Sequence, residues 1–106
     1  MVELVEEWIN RVNGRSDLLP RWKKRKMLLT IQANNDDIKI YISQDGMKLT
    51  REKDLTDRLQ ISSTYKVFHQ LLGGNLKLTA LPKSIVRIEG EYRDVLLIES
   101  LLMLSH

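Results

Sequence analysis

No cysteine occurs in this chain of 106 residues. Disulfides and thiol chemistry are therefore excluded, and a reducing cytoplasm is the expected compartment. Histidine is almost as scarce, with two residues, His69 and the terminal His106. The usual ligands of transition metals are thus missing, and neither a metal nor a cofactor is expected. The longest unbroken apolar run, Val95 to Ile98, has four residues, far short of the ~20 that span a bilayer. The opening MVELVEEW is acidic and lacks the basic start and apolar core of a secretory signal, so none is expected. Two prolines and five glycines are too few for a collagen-like or low-complexity chain. No GxSxG elbow, GxGxxG turn, P-loop or HExxH pair is present either.

What is there fits one domain spanning residues 1–106, close to the commonest domain size. A chain of this length buries roughly 65% of its unfolded surface, enough for one core and not for two. The formal charge is a mild +3. Its distribution says more than its sum, because Arg21, Lys23, Lys24, Arg25 and Lys26 surround Trp22 while the first seven residues hold three glutamates. A basic knot with an aromatic can meet phosphates of nucleic acid or of lipid headgroups, and it can equally be a solvated loop. With aromatics at only 6% and no RNA-binding signature, nucleic acid is not expected as a partner.

Val2, Val5, Trp8, Ile9 and Val12 recur at helical spacing and predict a helix over 2–13, ended by a left-handed residue at Asn13-Gly14. Met27, Leu29, Ile31 and Ala33 share one face of a strand. Ile38, Ile40 and Ile42 alternate with polar residues in a second strand over 37–43, and 47–50 returns as a third. Leu59 and Ile61 mark a fourth strand over 58–62. Ser62 or Ser63 is placed to cap a helix over 64–72, which Gly73-Gly74 stops. Residues 75–83 fit no element cleanly, 84–89 reads as a fifth strand, and the remainder reads as a closing helix. Strands in a block with helices around them indicate α+β: a five-stranded, mostly antiparallel sheet with helices on one face.

Catalytic constellations are hard to assemble from these residues. His69 has Tyr65, Lys66 and Gln70 as sequence neighbours and no carboxylate to orient it, so no general-base role is expected. Asp36 and Asp37 are adjacent on a strand and point to opposite faces, which suits a turn better than a shared proton or cation. The surplus lies elsewhere. From Tyr92 to Leu104 the closing helix is apolar around most of its circumference, where a surface helix keeps a stripe about 100° wide. Such a helix has to be covered by its own core, by a second subunit, or by a lipid-like molecule. Phe68, Leu71, Leu72, Leu97, Leu101 and Leu102 can simply fill the core, with Leu96 and Met103 meeting a dimer partner; or the two later helices and the sheet can enclose an apolar cavity.

Three strings, LLTIQANNDDIKIYISQDGMKLT, LQISSTYKVFHQLLGGNLKL and IVRIEGEYRDVLLIESLLML, together resemble the sterol-carrier-protein type two family over most of residues 27–104. The resemblance implies a twisted sheet and helices enclosing an apolar tunnel. It implies non-catalytic binding and transfer of a fatty acid, acyl-CoA, phospholipid or sterol, with transient contact at a membrane surface. Carried over by position, Phe68, Leu71 and Leu72, then Val95, Ile98, Leu101 and Leu102, are the expected lining. A monomer or homodimer fits, and a non-catalytic interaction module with a vestigial pocket is the alternative.

Overall fold

Val5, Trp8, Ile9 and Val12 are the buried side of the first helix, α1 (Val2–Asn13), as their spacing requires. The computed structural model describes residues 1–15, 17–18, 26–51 and 58–105. The basic run Arg21 to Arg25, most of the charged connector after Arg51, and His106 lie outside the described residues; Lys26 is exposed. Gly14 does not end α1 in the left-handed region. It is right-handed at φ −79°, and its amide still donates to Asn10 O at 3.0 Å, so the helix simply frays there.

Alternation of apolar and polar residues produces β1 (Met27–Ala33), β2 (Asp36–Ser43), β3 (Gly46–Leu49) and β4 (Arg58–Ser63), and β5 (Arg87–Glu89) completes the sheet. The strand order is β3-β2-β1-β4-β5. All neighbours run antiparallel except β1 and β4, which are parallel. The register stacks like on like: Ile38, Ile31, Ile61 and Ile88 form one row across four strands, and Leu49, Ile40, Leu29 and Leu59 another. These rows share one face. The opposite face carries Thr30, Gln32, Lys39, Tyr41 and Gln60, with Gln60 Nε2 donating to Gln32 Oε1 at 2.9 Å. Two tight reversals use positive φ, at Asn34 (+54°) and Gly46 (+112°).

The second helix, α2 (Tyr65–Leu72), and the third, α3 (Tyr92–Leu104), cover the apolar face together with α1. That α1 joins them follows from Trp8, which is fully buried between the helices and the sheet and donates from Nε1 to Leu101 O at 3.3 Å. The cap of α2 is Thr64, whose hydroxyl accepts from Val67 N at 3.3 Å; Ser62 and Ser63 belong to β4 instead, because the strand pairing claims their backbone. Two arginines complete the helix ends. Arg11 donates to Leu72 O at 2.9 Å, and Arg15 to Leu104 O at 2.9 Å, each supplying a cation where the helix dipole is negative. Arg15 is held in turn by Asp17, whose carboxylate accepts from the guanidinium and raises its pKa. Asn13 ties α1 to β3: its amide oxygen accepts from Met47 N at 2.9 Å and its amide nitrogen donates to Met47 O at 2.8 Å.

Candidate functional site

Between α2 and β5 the chain cannot continue either element. Gly73-Gly74 ends the helix with Gly74 at φ +76°. A single 3-10 turn follows at Leu78–Ala80, and the Pro82 carbonyl then accepts from Ile85 N at 2.9 Å and from Val86 N at 3.1 Å. This connector is fastened at two points, one to α3 and one to β4. Thr79 N donates to Glu99 Oε2 at 2.8 Å, with Lys77 Nζ 3.9 Å from the other oxygen. Ser63 Oγ donates to Ile85 O at 2.7 Å.

A groove of about 660 Å³ lies between this connector, β5 and the start of α3. Leu78, Leu81, Val86, Ile88 and Val95 form its apolar wall, with Lys83, Arg87, Glu89 and Tyr92 along its borders. That volume is within the ordinary range for small-molecule sites. Gly90 makes its corner. At φ +149° a side chain there is strained, and an added Cβ would sit 2.7 Å from Leu59 Cδ1, so only glycine lets α3 turn off β5 this close to β4. Two acids of α3, Asp94 and Glu99, are turned inward (2% and 9% exposed) while Tyr92, Leu96 and Met103 are turned out. For Glu99 the reason is its bond to the connector, since a buried carboxylate needs a donor.

The residues expected to line a cavity divide into three groups. Phe68, Leu71, Leu72, Ile98 and Leu102 do come together, with Trp8, Leu29, Ile31 and Ile61, around a void of only about 10 Å³, the size of one water probe. Leu101 is fully buried with its carbonyl under Trp8. Val95 alone borders the large groove. Val95, Ile98 and Leu102 are consecutive on one face of α3, so open groove and closed void lie along the same line of side chains. The groove's other walls come from residues 78–90, where 84–89 reads as a strand but 78–83 fits no element, with Leu78 and the Pro82 break as its signals. Among the described residues no group of three or more His, Cys, Asp or Glu comes together, and His69 is exposed at the surface.

No protein-family model and no curated protein matches the chain. Solved structures do share its fold. One described as "UbiJ-SCP2 Ubiquinone synthesis protein" superposes over 95% of this chain and 87% of its own, with a TM-score of 0.73 and 16% identity. The apo form of sterol carrier protein 2 from Yarrowia lipolytica matches over 94% and 84%, with a TM-score of 0.60 and 14% identity. The inverting sec-alkylsulfatase Pisa1 from Pseudomonas sp. covers 88% of this chain with 14% of its own, at a TM-score of 0.64 and 16% identity. At such identities the shared property is the fold: the chain has a sterol-carrier-protein-2-like fold of the α+β class.

Proposed function

We propose that this sterol-carrier-protein-2-like chain binds and transfers a lipid without acting on it chemically, and that the groove beside β5 is the mouth of its site. The supporting observation is a groove of about 660 Å³ bordered by Val95, one turn along the same face of α3 from Ile98 and Leu102 in the seam between the sheet and the helices. An acyl chain lying in the groove meets Leu78, Leu81, Val86 and Ile88. To go deeper it parts Phe68, Leu71 and Leu72 from Ile98, Leu101 and Leu102, so the inner residues act as a lining only when a ligand wedges them open. Each buried methylene contributes roughly 0.8 kcal/mol. About ten of them give about 8 kcal/mol, equivalent to micromolar affinity before the losses of association. Lys83 and Arg87 stand where a carboxylate or phosphate headgroup would emerge.

The test is native mass spectrometry of protein purified from a bacterial host, with organic extraction, followed by titration with a fluorescent fatty acid. One bound lipid per chain is the expected result. Leu81→Trp, which fills the groove from a half-buried position, should weaken uptake at least tenfold at unchanged melting temperature. A protein that is empty and takes up no fatty acid overturns the proposal.

A further inference from the structure

The sheet ends in two rims, and they differ. On the β3 rim both backbone groups of Met47 are bonded to Asn13 of α1. The β5 rim has no such partner. Strand β5 pairs with β4 on one side only, and among the described residues Arg87, Ile88 and Glu89 make no backbone hydrogen bond outside that ladder. In an antiparallel ladder alternate residues turn their N–H and C=O away from the neighbouring strand, so the outer rim of β5 carries unpaired donors and acceptors. Two usual guards of a bare edge are missing, since residues 86–90 hold neither proline nor lysine.

The side chains select what fits there. Strand β5 reads Arg-Ile-Glu, with a cation and a carboxylate on either side of Ile88. Turned end for end, the same strand presents Glu-Ile-Arg. Two copies paired antiparallel about Ile88 would set Arg87 of each against Glu89 of the other, at the roughly 5 Å Cβ separation of directly opposed residues. Arg87 and Glu89 already lie on one face, 3.3 Å apart, so the four charges would alternate in sign around a square. Other registers fail. A two-residue slip brings Arg87 against Arg87 in one direction and Glu89 against Glu89 in the other, and in-register parallel pairing also sets like against like. A one-residue slip turns the helix-covered face of one sheet to the polar face of the next. Outside the strand, Ile85 lies just before β5 and Tyr92 just after it, 45% and 70% exposed. A two-fold axis carries the start of one strand to the end of the other, and so brings each Ile85 to the partner's Tyr92.

We infer that this chain self-associates through β5: two copies join about a two-fold axis at Ile88 into one continuous sheet, with Arg87 of each paired to Glu89 of the other. The contact is isologous, the commonest kind in closed oligomers. It does not depend on the carrier reading, since it uses only the backbone of the rim and its charges. It bears on the groove all the same. Val86, Arg87, Ile88, Glu89 and Gly90 are consecutive in the groove's wall, so the partner's strand lies along that wall beside Ile88, and the two grooves meet at the two-fold. A short strand pairing with two flanking side chains belongs to the small, transient class of interfaces. Association is therefore expected to depend on concentration.

Sedimentation velocity of the full chain from ~1 μM to ~1 mM tests this. The mass should rise from one chain towards two across the series. Arg87→Glu and Glu89→Arg each set like charges across the two-fold, and each should weaken association at least about tenfold. Both side chains are largely exposed, 78% and 57%, so circular dichroism of the variants should match the wild type. The two variants complement each other: neither pairs with itself, yet an equimolar mixture should form a heterodimer. The double variant, with its charges exchanged, should regain the wild-type association. A chain that stays monomeric up to ~1 mM overturns the inference. So does a dimer that both single variants keep, or a mixture of the two that stays monomeric. A dimer lost in Leu96→Glu and kept in Arg87→Glu assigns the contact to the exposed side of α3 and overturns it as well.

Discussion

Around Ile98 and Leu102, α3 packs on Trp8, Phe68 and the sheet with about 10 Å³ left between them, whereas one turn earlier, at Val95, the same face borders about 660 Å³ of groove. The face of α3 itself does not separate the two ends, since Val95, Ile98 and Leu102 are all aliphatic. What differs is the backbone available to cover them. The closed end has two helices and the full-length strands β1 and β4 beneath it. The open end has β5, three residues long, and a connector whose Pro82 turn and 3-10 turn cannot lay a continuous apolar face against α3. Closure of a core depends on the neighbour's regularity as much as on the apolar content of the helix to be buried.

Trp8→Ala attacks the closed end and carries the largest expected effect. It removes the largest fully buried side chain and leaves Leu101 O without its indole donor, which should lower unfolding free energy by about 3–5 kcal/mol in a urea titration. A loss under about 1 kcal/mol would mean that the closed end is no better packed than the open one. Glu99→Ala works on the open end by leaving Thr79 N without its acceptor. A cost of about 1–3 kcal/mol and faster hydrogen exchange at Thr79 are expected. Glu99→Gln should recover most of it, because an amide oxygen still accepts from Thr79, and the exposed Lys77 partner contributes little. The smallest effect lies away from both ends. Tyr65 donates its hydroxyl to Asp36, a bond to a carboxylate that holds the phenol above its ordinary pKa of 10.0. The folded value is raised, so the contribution is present below pH 10 and is lost as pH rises through the folded value. The absorbance difference at 295 nm between the wild type and Tyr65→Phe should therefore titrate above pH 10.

Most elements were legible in the sequence because α1, β1, β2 and α2 each carry one apolar period with a clear phase. Strand β5 came out shorter than 84–89 because the Pro82 turn takes its first residues. The inner face of α3 was not legible for the opposite reason to scarcity: apolar residues all round give no phase. The structure resolves it by turning Asp94 and Glu99 inward, Glu99 to meet an amide twenty positions away. The parallel β1–β4 pairing, and the arginine caps from Arg11 and Arg15 over separations of 61 and 89 residues, depend on tertiary approach and leave no local mark. For the site, five of the residues that the resemblance named, Phe68, Leu71, Leu72, Ile98 and Leu102, meet around one small void, but volume is a property of the gaps, and the gap lies where the pattern was weakest.

The two hydrogen bonds between Asn13 and Met47 bear on how this protein meets other chains. A primary amide is a side-chain copy of the peptide unit, so Asn13 occupies the outer rim of β3 as a strand one residue long. It reaches that position only because Gly46 has no Cβ, which would lie 2.7 Å from the Asn13 oxygen. The outward donor and acceptor of Met47 are thereby already spent, so an invading strand finds that position of the rim occupied by a side chain.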